Sequence, residues 1–206
     1  DSLVAGNKTD ADAYRKKLRG ERGTKVTITY LRNAATKQAV ITRDAIPLVS
    51  VDASYMMTKE IGYIRLNKFS SVTYREFMEA LEPLKKAGLQ KLILDLRGNG
   101  GGILDQAVEI ADEFLDGDKL ITYTEGKHVD KKEYRCRRNG QFETGKLVVL
   151  ADEGSASASE ILIGALQDWD RATIVGRRSF GKGLVQEQFD LSDKSALRLT
   201  IARYFT

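Results

Sequence analysis

The 206-residue sequence is poor in the residues that build most metal and redox sites: it has one cysteine, Cys136, one histidine, His128, and two prolines. A single cysteine excludes an internal disulfide and a Cys-based zinc cage, and it does not fix the redox compartment. A single histidine argues against a His-rich metal site. Proline this scarce argues against polyproline or flexible linkers. No apolar run approaches the roughly 18 residues of a membrane-spanning helix. Charge of one sign is also lacking: 33 basic against 29 acidic side chains leave +4, too small and too scattered an excess to argue for nucleic acid. What is present is a globular balance, 42% hydrophobic and 30% charged, in a length that suits one domain or one domain plus part of another. The sequence opens on Asp1 without a charged-then-apolar leader, so it reads as a mature product or an excised piece, any signal or anchor lying outside it.

Patterning divides the chain into a short opening and a longer body. Residues 10–19 (DADAYRKKLR) predict a helix with Asp10 as N-cap and Gly20 as stop. Residues 24–31 (TKVTITYL) alternate β-branched side chains and predict a strand, with 37–42 (KQAVIT) as its hairpin partner. One helix and two strands are too little for an independent domain. From Pro47 onward strands, loops and helices alternate. Strands are expected at 62–66, 92–96, 147–151, 172–175, 183–189 and 196–202, and helices at 73–86, 104–115 and 160–167. LILDL (92–96) and LVVLA (147–151) are nearly continuous apolar runs, as buried parallel strands are. Residues 125–145, rich in Lys, Arg and Glu, are expected to be a surface excursion. The pattern is that of an α/β fold with a largely parallel central sheet flanked by helices.

Candidate chemistry begins at residues 152–159 (DEGSASAS), where Ser155, Ser157 and Ser159 alternate with alanines between a buried strand and a helix. A serine there meets outward-facing backbone N–H groups and the positive end of the helix dipole, which suits an acyl-transfer nucleophile whose substrate oxygen turns anionic. The same residues serve equally well as a plain helix N-cap. A serine nucleophile needs a base, and His128 lies in a lysine-rich stretch (GKHVDKKEYR) that reads as solvated loop. The remaining option is a lysine made neutral by desolvation, because an exposed lysine titrates near about 10.4. Lys182 stands apart from the other lysines, set between Gly181 and Gly183 and beside Leu184 and Val185. Glycines allow close backbone approach, and an apolar surround favours the uncharged amine; the alternative is a turn lysine facing water. Gln186, four residues on, would project to the same side of a regular strand and orient the amine, or be an ordinary exposed residue. Residues 97–102 (RGNGGG) can form a nest of N–H groups for an oxyanion or a phosphate. Ile103 stands where a dinucleotide fingerprint needs its third glycine, which discounts a nucleotide there. Residues 176–182 (GRRSFGK) match the start of a phosphate-binding P-loop, yet Gly183 replaces the required Ser or Thr and a strand is expected to follow, not a helix.

In this order, GYIRLNKFS, LILDLRGNGGG, VVLADEGSASASEILIGALQD, RATIVGRRSFGKGLVQ and LRLTIARYFT resemble the carboxyl-terminal processing peptidases, tail-specific Ser–Lys proteases of peptidase family S41. The resemblance covers most of residues 46–206 and implies a ClpP/crotonase-like protease core there. It implies Ser157 as nucleophile, Lys182, 25 residues on, as base, and Gln186 as the residue orienting that lysine. Backbone N–H groups of Ala158 and of Gly101 or Gly102 would form the oxyanion hole. The chain departs from the family at Gly100, where members often carry proline. Residues 1–45 resemble the C-terminal part of a PDZ domain whose carboxylate-binding loop would precede Asp1, and the family usually continues past ARYFT, so both ends read as truncated. The resemblance further implies no metal, no organic cofactor, and no nucleotide or nucleic-acid partner. It implies protein or peptide substrates with a free C-terminus, membrane anchoring only through segments outside this chain, and an extracytoplasmic location in the periplasm or envelope. The competing reading is a non-catalytic peptide- or lipophile-binding protein on the same fold, against which the joint presence of Ser157, Lys182 and Gln186 speaks.

Overall fold

A helix and a hairpin make up the first of two units, divided between Leu48 and Val49 in the computed structural model, which describes residues 10–45 and 49–206. Helix α1 (Ala11–Leu18) starts at Asp10, whose Oδ1 accepts from Asp12 N–H at 3.2 Å. Its other end is closed by the Arg43 guanidinium, which donates to the Leu18 and Lys17 carbonyls at 2.7 and 3.0 Å, and the helix ends at Leu18 with Arg19 as its cap, one residue short of the expected end at 19. Strand β1 (Lys25–Arg32) pairs antiparallel with β2 (Ala35–Thr42). Asn33 and Ala34 join them at φ of 54° and 61°, a two-residue turn whose twist matches that of the strands. Leu31 and Val40 stay exposed on this hairpin. The expected change of pattern at Pro47 lies outside the described residues, as do residues 1–9 of the expected PDZ segment.

The second unit runs β3 (Val51–Met56), β4 (Ile61–Leu66), α2 (Thr73–Lys86), β5 (Lys91–Asp95), α3 (Leu104–Asp112), β6 (Leu120–Gly126), β7 (Val129–Arg135), β8 (Lys146–Ala151), α4 (Ala158–Asp168), β9 (Thr173–Gly176), β10 (Leu184–Asp190) and β11 (Ala196–Phe205). One sheet has the order β3-β4-β5-β8-β9 and is parallel from β4 to β9, with β3 antiparallel at its edge. The other, β10-β11-β6-β7, is antiparallel throughout. This is the expected α/β fold with a largely parallel sheet, joined by a second sheet. Residues 125–145 are therefore more than a surface excursion. They hold the end of β6, all of β7 and the turn between them. The charged side chains of β7 face water while its backbone pairs with β6, and an edge strand loaded with lysine resists pairing with other chains. Strand β3 had no expectation attached, because VDASYM carries polar residues on an edge that is only half covered.

The core lies between the parallel sheet and the helices. Ile64, Leu66, Leu92, Leu94 and Val149 from the strands are fully buried with Phe77, Leu81, Ile110, Ile161 and Leu166 from the helices. Phe77, Phe114 and Phe142 form a chain of edge-to-face contacts, with centroids 5.7 and 6.4 Å apart. Phe77, Leu81 and Leu84 recur at helical spacing, so α2 buries one stripe, each such side chain contributing about 1.5–3 kcal/mol. Burying these faces fixes the carboxyl ends of β5, β8 and β9, and the loops that leave those ends are where an open α/β sheet binds its ligands.

Candidate active site

The loops after β5 and β8 are laced together by buried polar groups. Asn99 is fully buried: its Nδ2 donates to the Leu66 carbonyl at 3.0 Å, and its Oδ1 accepts from Gly101 N–H at 2.9 Å. The Asn99 carbonyl accepts from Ala156 N–H at 3.0 Å and from the Ser159 hydroxyl at 2.9 Å. Asp152 Oδ1 accepts from Gly98 and Gly154 N–H at 2.8 and 2.9 Å. Gly101, at φ 89°, lies so near the serine turn that a Cβ placed on it would sit 2.8 Å from Ser157 Cβ. Gly102, at φ 147°, is pressed against the Phe69 backbone, where only a residue without a side chain fits.

The alternation SASAS sorts the three serines into two roles. Ser155 and Ser159 are fully buried, their hydroxyls donating to the Leu96 and Asn99 carbonyls at 2.8 and 2.9 Å. Ser157 is half-buried and lines a cavity of about 480 Å³. It caps α4 at φ 57° and ψ −116°, a strained strand-to-helix turn of the kind that presents a nucleophile. Such a conformation persists only where its surroundings enforce it, and here the lacing of the two loops does so.

The same cavity is lined by Gly102, Ala158, Lys182 and Gln186, so five of the six expected site residues share one space. The sixth, Gly101, lies behind Ser157, and its N–H is taken by Asn99. Lys182 is half-buried in residues 177–183, a segment without regular structure between β9 and β10. Gln186 does not reach the cavity by simple strand parity. Lys182 precedes β10, and a bulge between Val185 and Gln186 re-aims the side chains, so that Leu184, Val185, Gln186 and Gln188 all line the wall. His128 is exposed in the turn between β6 and β7 and lines no part of this cavity. The P-loop-like residues 176–182 lead into β10, a strand.

Four functional candidates were missed from sequence. Glu160 on α4 accepts four hydrogen bonds, from Ser157 N–H (2.8 Å), Ser179 Oγ (2.7 Å), Gly181 N–H (2.6 Å) and Lys182 N–H (2.8 Å). Burial alone would raise its pKa; the bonds from Ser179, Lys182, Gly181 and Ser157 outweigh burial and hold the carboxyl below its ordinary range. The Tyr204 hydroxyl on β11 donates to the Lys182 carbonyl and lies 3.2 Å from the Ser157 carbonyl. Burial, with the Glu160 charge adding to it, pushes this phenol well above its usual range, so it stays a donor. Asn99 is the third and Arg198, on the cavity wall from β11, the fourth. Glu160 had a sequence signal, an acidic residue three positions after a capping serine. Tyr204 and Arg198 had none, since only folding brings them to the serine turn. The rest of the wall is apolar, from Leu104, Ile161, Leu184 and Val185, and among the described residues no aspartate or glutamate lines it.

The sequence model of peptidase family S41 matches residues 60–206. The carboxyl-terminal-processing protease of Synechocystis sp. is 41% identical over 202 residues, covering 95% of this chain and 46% of that protein. The carboxy-terminal-processing protease of Bartonella bacilliformis is 40% identical over 195 residues, covering 92% of this chain and 44% of that protein. The solved structure of a photosystem II D1 C-terminal processing protease matches with a TM-score of 0.70 at 33% identity, covering 91% of this chain and 52% of that one. The chain thus spans about half the length of the relatives it matches.

Proposed function

The chain belongs to peptidase family S41, and from that premise we propose that it is a serine endopeptidase that cuts proteins near their carboxyl end, with Ser157 as nucleophile and Lys182 as base. The observation that carries this reading is the sorting of the serines: Ser157 alone of the three faces the cavity that Lys182 also lines. Lys182 Nζ takes the Ser157 hydroxyl proton as Oγ attacks the scissile carbonyl. The N–H groups of Ala158 and Gly102, both on the cavity wall, receive the oxyanion; removing one such donor costs about 2.7–4 kcal/mol of transition-state stabilisation. Gly102 is preferred over Gly101 because the Gly101 N–H already serves Asn99. Lys182 then protonates the leaving amine. A water activated by the same lysine releases the acyl group from Ser157. Gln186, on the same wall, orients the amine. The chemistry calls for no metal or organic cofactor.

Arg198 supports a substrate with a free C-terminus. It places a guanidinium on a wall that carries no acidic side chain among the described residues, which suits a carboxylate near the scissile bond. The names of the matched relatives point the same way. The helix and hairpin of the first unit are, in this reading, the C-terminal part of a PDZ domain, and the protein works outside the cytoplasm, in the periplasm or envelope. One buried cysteine, its thiol pushed up to about 11 by burial and by Asp112, is compatible with that compartment. The test is cleavage of an unstructured protein by the wild type, Ser157→Ala and Lys182→Ala, each with and without EDTA. Both variants should fall to background while EDTA changes nothing. Unchanged cleavage in both variants, or a loss with EDTA that zinc restores, overturns the assignment.

A further inference from the structure

Resting on the Ser157–Lys182 reading, we infer that Glu160 and Tyr204 are positioning residues that clamp the lysine segment onto the serine turn, one holding the N–H groups of both residues and the other donating to the Lys182 carbonyl beside that of Ser157. The need for such a device follows from the chain path. Lys182 sits in residues 177–183, which belong to no helix or strand, whereas Ser157 begins a helix. Few backbone bonds tie that segment down: Arg177 N–H to the Ala151 carbonyl, Phe180 N–H to the Ser155 carbonyl at 2.9 Å, and Tyr204 N–H to the Gly183 carbonyl at 3.2 Å. None of these engages Lys182 itself.

Glu160 does. Its Oε2 accepts from the N–H of Ser157 and the N–H of Lys182, both at 2.8 Å, so a single atom sets the spacing of the two backbones. Its Oε1 accepts from Ser179 and Gly181, the residues leading into the lysine. In an ordinary capping box the glutamate carboxylate makes only the bond back to the cap residue; here its other three bonds reach across to a separate segment. The Tyr204 hydroxyl donates to the Lys182 carbonyl and lies 3.2 Å from the Ser157 carbonyl, so it meets the same two residues at their carbonyl oxygens. Glu160 is not among the residues that line the Ser157 cavity, and its effect runs through the two residues it holds.

The carboxylate is required by its acceptor count. Four donors converge on two oxygens, which matches the roughly four lone-pair sites of an ionised carboxylate. Glutamine has the same shape with one acceptor oxygen, and its NH₂ would face two donors. Glu160→Gln therefore loosens the lysine while leaving helix α4 its side-chain packing.

The experiment is steady-state cleavage of a peptide by the full chain, wild type against Glu160→Gln, Glu160→Asp and Tyr204→Phe, with labelling of Ser157 by a fluorophosphonate as a second readout. A displacement of about 1 Å in a reacting group costs about 100-fold in rate. Glu160→Gln is expected to lower kcat and the labelling rate by about that factor with KM within about threefold of wild type, and Tyr204→Phe to do the same more weakly. Glu160→Asp, which keeps the charge but is one methylene too short to reach both segments, should not rescue. If Glu160→Gln does not fold, Tyr204→Phe, which keeps the half-buried ring, carries the test. A kcat and labelling rate near wild type in a folded variant, or a loss carried entirely by KM, overturns the clamp. Ser157→Ala and Lys182→Ala in the same assay separate the two failures: if they are inactive while the clamp variants are not, only the clamp falls.

Discussion

The three serines of one short run differ in what their hydroxyls already do, and this makes opposite predictions for the same substitution. Ser155→Ala would leave the Asp152 N–H without its partner and take one of two donors from the buried Leu96 carbonyl, which keeps Asn99 N–H, at a cost of about 1–3 kcal/mol. Ser157→Ala removes no such partner and should abolish cleavage with little change in unfolding midpoint. Ser157→Gly should raise stability by about 1 kcal/mol or more, because φ of 57° strains any residue with a Cβ. Urea unfolding of the three variants checks this, and a Ser157→Ala variant as destabilised as Ser155→Ala would count against it. Gly101→Ala is the reverse case: its Cβ would crowd the Ala158 N–H and Ser157 Cβ, each at 2.8 Å, at a φ that disfavours alanine. It should cost about 1–3 kcal/mol or more and cripple cleavage together. The run SASAS and the glycines at 98, 100, 101 and 102 were legible as a site in the sequence. Which serine faced the cavity was not, from the residues alone, because that choice is made by carbonyls about sixty positions upstream.

Elements with a buried face were the easiest to read. LILDL and LVVLA became β5 and β8, and the spacing of Phe77, Leu81 and Leu84 placed α2 without error. Elements satisfied mainly by their backbones were the hardest: β7 shows only charge in its sequence, and β3 only half a pattern. The bulge in β10 was illegible for the same reason, since Gln186 owes its direction to the register against β11. The join of α4 to residues 177–183 through Glu160 has a pH signature. Its carboxyl is held below the ordinary value, so its stabilisation is fully present above the unfolded-state pKa of about 4.3 and is lost as pH falls through the lower folded value. Wild-type stability should therefore fall more steeply than that of Glu160→Gln below about pH 4.3. The other carboxyls held low by their partners, such as Asp95 by its bonds from Arg97 and Tyr63, are common to both proteins and cancel in the difference. Urea unfolding across that range measures the two slopes, and parallel curves would mean that the carboxylate contributes no more than an amide.

At the scale of the whole chain, the cavity is a product of two sheets. The parallel sheet supplies Gly102, Ser157 and Ala158 through its loops, and the antiparallel sheet supplies Gln186, Gln188, Arg198 and Tyr204 through β10 and β11. A net charge of +4 spread over the chain says nothing of this, yet the arrangement puts one guanidinium in a space free of carboxylates among the described residues. A substrate's terminal carboxylate has a candidate receptor in Arg198, on the cavity wall, and a single comparison tests it. Peptides identical except for a free or amidated C-terminus should differ in kcat/KM. A charge-assisted hydrogen bond contributes about 1.5–3 kcal/mol, so the free acid should be cut about tenfold faster or more. If Arg198 is the receptor, Arg198→Ala abolishes the difference by slowing only the free acid, and rising salt narrows it in the wild type. If Arg198 is not the receptor, the preference survives that substitution. Equal cleavage of the two peptides by the wild type would remove the free carboxylate from recognition altogether and leave the apolar wall of Leu104, Ile161, Leu184 and Val185 as the element that selects the substrate.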